Sequence, residues 1–282
     1  MQITPAGTVL GATVTDVDVR HLTDEQCAEL DAAWARHGVL FIRGQELSPP
    51  EQLAFATRFA PVDVNRFFAP VDGHPEVAQV LKEPDQAQNI GGAWHTDHSY
   101  DRVPARGSVL YAVETPPAGG DTLFADVGAA YETLSPGLQA TLAGLRAIHT
   151  NVDVFGPAAQ STREMGDRFR NPEAANETTS HPVVIRHPMT GRPLLYVNPG
   201  FTRRFDGWTT EESRPLLQQL YAHIADPRFT IRFRWAPGSI AMWDNRSTWH
   251  HAVNDYPGQR RLMHRVTIRG EAIEAIEASR AG

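Results

Sequence analysis

From residue 91 onward the sequence breaks into short runs in which apolar and polar residues alternate, SVLYAVE, RPLLYVN, FTIRFRW and HRVTIRG among them, with Pro, Gly and Asp turns between. A period of two sends successive side chains to opposite faces of a strand, so each run can cover a core with one face only. Many short strands between breakers specify a barrel or a sandwich. Two helices interrupt them: one opens at Ser135 with Pro136 at its first position, the other at Thr209 with Glu212 completing a capping box. Upstream, Thr23 with Gln26 and Ser48 with Glu51 mark two further helix starts, and GVLFIRG between them reads as a buried strand bounded by Gly38 and Gly44. The expectation is a mainly β chain with flanking helices. Residues 1–90 would form an N-terminal α/β part and residues 91–270 the β core of a single domain spanning 1–282. Residues 151 to 180 carry neither period, which predicts a long irregular, lid-like insertion in which Phe155, Arg163 and Arg168 are candidates to touch a ligand.

Charge and cysteine content narrow the function class. The 26 Lys and Arg against 33 Asp and Glu leave a formal charge of -7, with the basic residues scattered, so nucleic acid is not expected as a partner. Cys27 is the only cysteine, which excludes an intrachain disulfide and a thiolate metal cluster and suits a reducing cytoplasm. The first residues show no basic segment leading into an apolar stretch, and no run of about 18 apolar residues occurs, so a soluble, unprocessed protein with no membrane partner is expected.

Two segments carry chemistry. WHTDHSY places His95 and Asp97 two apart, so on an extended backbone an imidazole and a carboxylate could grip one ion together. WDNRSTWHHAVNDYPGQRRLMHRVTIRG supplies His250 and His251 and then Arg260, Arg261 and Arg265. Adjacent strand residues face opposite ways, so at most one of the two histidines can join His95 and Asp97. Two imidazoles and one carboxylate on one face of a metal form the facial triad of non-haem iron(II) oxygenases, whose open positions admit a bidentate keto acid and dioxygen. The far carboxylate of such an acid needs a cation, and a planar arginine fork matches it best. Arg261 and Arg265, four apart, share one face of a strand-like run.

With these residues in view the chain resembles the taurine dioxygenase and 2,4-dichlorophenoxyacetate dioxygenase family, the TauD/TfdA family. LGATVTDVDVR, HGVLFIRGQ, WHTDHSY, PPAGGDTLFAD, HPVVIRHPMTGRPLLYVN and WDNRSTWHHAVNDYPGQRRLMHR follow one another in that family's order and approximate spacing. The resemblance implies a double-stranded β-helix of the jelly-roll, cupin-like kind. It implies Fe(II) held by His95, Asp97 and His250, with His251 a non-ligand. Thr122 and Arg261 would hold the distal carboxylate of the cosubstrate 2-oxoglutarate, and Arg265 would face the substrate's anionic group or the cosubstrate's other end. The implied reaction uses O2, releases succinate and CO2, and hydroxylates a small anionic substrate of the alkyl sulfonate, sulfate ester or aryloxyalkanoate type. The family forms dimers and tetramers, so a homo-oligomer is expected. Taurine itself fits poorly, because Gly91-Gly92-Ala93 and Asn65-Arg66-Phe67-Phe68 replace the family's polar taurine contacts. His98 and His149 read as supporting histidines, and Trp94 and Trp243 as core residues bracing the ligand segments.

Two other readings of the same residues stand beside this one. A zinc-type hydrolase could use the His/Asp/His set with bound water as nucleophile, but leaves Arg261 and the GGDT segment without a task. A non-enzymatic jelly-roll protein could bind a small anion through Arg261 and Arg265 with the histidines structural.

Overall fold

The computed structural model describes residues 1–276. Its largest sheet has nine strands and draws on both ends of the chain, in the order Gln2–Pro5, Ala12–Thr15, Val39–Ile42, Ile240–Asp244, Gly107–Glu114, Arg261–Ile268, His74–Lys82 and Pro70–Val71, with Val62–Asp63 also pairing on Arg261–Ile268. Opposite it lies a three-stranded sheet, Thr230–Phe233, Thr122–Asp126 and Thr248–Ala252. Two further three-stranded sheets complete the β framework. This is the mainly β, jelly-roll architecture expected from the strand texture.

Alternation within the central strands sorts their side chains into two cores. Leu40, Ile42, Val109, Tyr111, Ile240, Met242 and Val266 pack outward against Leu30, Trp34 and Phe55 of the helices Asp24–His37 and Pro49–Thr57. Their neighbours Val39, Phe41, Leu110, Ala112, Ala241, Trp243 and Met263 point inward and share a core with Phe124, Phe201 and Phe233. Both faces are therefore covered, which is why Val39–Ile42 and Ile240–Asp244 are buried at every position. Burial of this kind contributes about 1.5–3 kcal/mol for each large apolar side chain.

All four helix starts lie where the sequence marks them. Thr23 caps Asp24–His37, Ser48 precedes Pro49–Thr57, Ser135 caps Pro136–Ala143 and Thr209 caps Thr210–Ile224. The segment 151 to 180 differs from the expected irregular loop: Val152–Phe155 and Gln160–Met165 are short helices, Pro172–Ala174 is a 3-10 turn, and Thr178–Pro182 pairs with Arg146–Thr150. Helices of four and six residues span too few turns to show a periodic apolar face. Their order comes from tertiary contacts instead. Phe155 stacks on Phe67 at 4.3 Å between centroids, the Arg170 amide donates to the Phe67 carbonyl, and Phe68 and Phe169 form a single β-bridge.

Candidate metal and cosubstrate site

His250 sits in the middle of Thr248–Ala252, a strand buried by pairing with Thr122–Asp126. His95 does not lie on a regular strand as expected. It forms one isolated antiparallel bridge with His250, each amide donating to the other's carbonyl at 3.1 and 2.9 Å, and the chain then turns from Asp97. His98, at φ +59°, ends the extended backbone, and the Asp101 amide closes the turn on the His98 carbonyl. The bridge still brings the three side chains together. His95 Nε2 is 3.8 Å from Asp97 Oδ1, His250 Nε2 is 3.8 Å from Asp97 Oδ2, and one donor atom from each residue lies within 4.8 Å of the others.

The protonation states suit a cation. Burial pushes the imidazoles of His95 and His250 down, and the partial opposition of Asp97 does not restore them, so both rings are neutral and offer lone pairs. The Nδ1–H of His95 donates to the Ala93 carbonyl at 2.7 Å, which leaves Nε2 as the metal-facing atom. Burial alone would raise the Asp97 carboxyl, but its neighbours, the Arg265 guanidinium foremost, outweigh it and hold the group ionised. Ser108 Oγ also donates to Asp97 Oδ2 at 3.1 Å. His251, next in sequence, faces away, half-buried against Trp94 at 5.5 Å.

Arg261 and Thr122 meet at the same cavity, a space of about 500 Å³ that His95, Asp97, His250 and Arg265 also line. Arg261 is 3% exposed. Its Nε donates to the Gly120 carbonyl at 3.2 Å, its NH2 group is buried without a partner, and no carboxylate pairs with it among the described residues. Gly120, at φ +69°, supplies that carbonyl from a backbone conformation that favours glycine, held by its amide donating to Asp255 at 2.7 Å. Thr122 Oγ1 accepts from Trp235 Nε1 at 2.9 Å and so keeps its own proton to donate. A buried guanidinium without a carboxylate partner and a hydroxyl with a free proton, lining one cavity, could together hold a carboxylate.

A match to the family model described as taurine catabolism dioxygenase TauD, TfdA family, spans residues 2–267. The chain belongs to the TauD/TfdA family. Among curated relatives of this member, the alpha-ketoglutarate-dependent sulfate ester dioxygenase of Pseudomonas putida is 32% identical, over 96% of this chain and 90% of that protein. The alpha-ketoglutarate-dependent 2,4-dichlorophenoxyacetate dioxygenase of Cupriavidus pinatubonensis is also 32% identical, over 95% of this chain and 98% of its own. A crystal structure of a taurine dioxygenase from Burkholderia xenovorans superposes with a TM-score of 0.80 at 34% identity, covering 98% of this chain and 96% of that one. This TauD/TfdA member is thus an Fe(II)- and 2-oxoglutarate-dependent dioxygenase that uses O2. The hydrolase and simple anion-binding readings fall away with that assignment.

The remaining residues singled out from sequence divide. Arg265 lines the cavity, but its NH1 reaches both oxygens of Asp97, at 3.2 and 3.3 Å, while Nε stays buried and unpaired. Phe155 lines the cavity. Arg163 and Arg168 line a neighbouring one, bonded to the Ala158 and Gln88 carbonyls. Trp243 is buried with its ring 4.5 Å from that of His250, whereas Trp94 is only partly buried. Sequence reasoning missed Ser108, Phe169 and Phe201, none of which sits in a motif whose spacing marks it, whereas Phe68, named in the Asn65–Phe68 run, does line the cavity. His98, read from sequence as a supporting histidine, lines the cavity with Nδ1 at 2.8 Å from Asp101 Oδ2, itself paired with Arg66.

His149 lies apart from the cavity and is fully buried, with Nδ1 at 3.1 Å from Ser99 Oγ and Nε2 without a partner. Burial, reinforced by nearby His181, pushes its imidazole from 6.5 to about 3. The unfolded chain therefore binds this proton near pH 6.5 while the folded one resists it to about pH 3, so stability falls as pH drops through that window. Fully expressed, the loss is about 5 kcal/mol. In thermal melts between pH 7 and pH 4, His149→Gln should show a clearly flatter decline of Tm than the parent; parallel declines would show that His149 does not govern acid lability.

Proposed function

We propose that this dioxygenase hydroxylates a small organic anion of the alkyl sulfonate, sulfate ester or aryloxyalkanoate type. His95, Asp97 and His250 would hold Fe(II), Thr122 and Arg261 the distal carboxylate of 2-oxoglutarate, and Arg265 the substrate's acid group. One observation carries the reading: the buried, carboxylate-free guanidinium of Arg261 opens into the same cavity as the three converging ligand atoms. The bound metal would supply oxygen activation coupled to oxidative decarboxylation of the keto acid to succinate and CO2.

The chain's own contribution is positioning and exclusion of water. His95 presents Nε2 because Ala93 takes its other ring proton, and Ser108 and Arg265 orient the Asp97 carboxylate. Apolar side chains from Leu110, Val80 and Ile90 line the rest of the cavity. Arg265 lines the cavity with NH1 on Asp97 and would supply the positive charge that an anion meets there.

The same reading treats residues 1–282 as one dioxygenase domain, with an N-terminal α/β part over 1–90, a jelly-roll core over 91–270 and residues 151–180 as its lid. It places the enzyme in the cytoplasm as a dimer or tetramer, without nucleic acid or membrane as partner. Among the described residues no helix is long and apolar enough to cross a membrane. The test is succinate release from Fe(II), 2-oxoglutarate and air over a panel of alkyl sulfonates, alkyl sulfates and aryloxyalkanoates set beside their neutral and cationic analogues. Stimulation by one class is expected; stimulation only by cationic or neutral compounds would remove Arg265 from its assigned role.

A further inference from the structure

Trp235 lies behind the cavity wall and touches both residues assigned to the cosubstrate's distal carboxylate. Its indole Nε1–H donates to Thr122 Oγ1 at 2.9 Å, and the guanidinium carbon of Arg261 lies 5.7 Å from the centre of its ring. The strand Thr230–Phe233 brings it there. Phe233 is the register partner of Thr122, the strand ends at that pair, and Trp235 follows two residues later. The Phe233 ring meets the indole edge to face, at 4.8 Å and 82°, and Trp235 is buried. On its other side Thr122 pairs with Ala252, two residues from His250, whose own partner is Phe124. The indole therefore braces one end of the small sheet that also carries a metal ligand.

A threonine hydroxyl carries one proton and two lone pairs, so on its own it can donate or accept. With the indole N–H held on its oxygen, the Thr122 proton turns away from the indole and the hydroxyl offers a donor. A carboxylate tail has acceptors only and suits that donor, whereas an amide tail also presents N–H protons and gains less. The indole ring contributes separately. Arg261 is buried, its Nε is held by the Gly120 carbonyl, and the π face of Trp235 attracts the cation from another side. Resting on the cosubstrate site proposed above, we infer that Trp235 is a positioning residue that makes this receptor selective for a carboxylate. Its N–H fixes the Thr122 hydroxyl as a donor, and its ring holds the Arg261 guanidinium.

Titration of 2-oxoglutarate into the anaerobic Fe(II) protein, followed by the visible charge-transfer band, tests the hydrogen bond. Trp235→Phe keeps a ring and removes the N–H. It is expected to raise the 2-oxoglutarate dissociation constant roughly 3- to 10-fold, the range of one hydrogen bond, with the Fe(II) requirement and the position of the band unchanged. In a Thr122→Val background the same substitution is expected to change that constant by less than about 2-fold, because indole and hydroxyl act as one unit. A dissociation constant does not depend on how much enzyme folds, so a less stable variant still reports. Trp235→Leu removes the ring as well and is expected to weaken binding on the order of 10-fold further. Selectivity is read from competition by N-oxalylglycine and N-oxalylglycinamide, which differ only in the tail. The parent is expected to prefer the carboxylate, and Trp235→Phe to narrow that preference by roughly 3-fold or more. An unchanged dissociation constant in Trp235→Phe, an equal effect in the Thr122→Val background, parallel loss of Fe(II) binding or an unchanged tail preference overturns the inference, while the band of the intact enzyme upholds the dioxygenase reading. Absence of that band in the intact enzyme overturns the dioxygenase reading itself, and the role of Trp235 with it.

Discussion

Asp97→Ala is expected to abolish the visible charge-transfer band that anaerobic Fe(II) and 2-oxoglutarate produce together, and to take succinate formation to background. Asp97 is the one anion among the three ligand side chains, and it lies 3.8 Å from the Nε2 atoms of both His95 and His250. Without it two neutral imidazoles remain, beside the Arg265 guanidinium that the carboxylate had compensated. A dication placed there meets net repulsion where it had met attraction. Leaving Arg265 buried without its partner also destabilises the fold, by about 3–5 kcal/mol if the pocket does not relax. The variant is therefore checked by thermal melting, with Asp97→Asn as a companion that keeps the volume and removes the charge. A band of undiminished intensity in a folded Asp97→Ala protein would show that the metal sits elsewhere.

Arg261→Ala is expected to raise the 2-oxoglutarate requirement roughly 100-fold or more while leaving Fe(II) affinity nearly unchanged. Truncating one member of a buried, hydrogen-bonded charge pair costs about 2–5 kcal/mol, and Arg261 is the carboxylate receptor farthest in role from the metal ligands. Little structural damage should follow, because only the Gly120 carbonyl loses a donor and no acidic side chain is left unpaired. Arg261→Lys keeps the charge but not the planar fork, so it should fall between the parent and the alanine variant. Titrating 2-oxoglutarate into the Fe(II) protein and following the band measures both. Parallel loss of metal and cosubstrate binding would mean that Arg261 supports the site as a whole.

Much of the framework was legible because it is local. Capping boxes at Thr23, Ser48 and Thr209 need only residues three apart, and the strands Gly107–Glu114 and Arg261–Ile268 announce themselves by alternation. The insertion at 151 to 180 was not legible in the same way. Its helices are too short to carry a period, and what orders them, the stacking of Phe155 on Phe67 and the bridge between Phe68 and Phe169, joins residues far apart in the chain. The orientation of His98 was not legible for a related reason: its ring lines the cavity from a turn at φ +59° that the strand-like reading of the segment did not include.

The amino-acid sequence by itself offered the ligand types, a choice of arginines for a carboxylate and the limit of one histidine from the His250–His251 pair, because strand alternation forbids both. The family resemblance pointed to His250, and the tertiary structure supplies the physical reason. The bridge between His95 and His250, and the pairing of His250 with Phe124, turn that ring inward and leave His251 against Trp94. It also decided that Arg265 rests on Asp97 and that Arg261 faces the cavity without a carboxylate. Spacing along a chain states which side chains share a face, whereas strand register across a sheet states which faces meet, and register is set by the packing of the whole core.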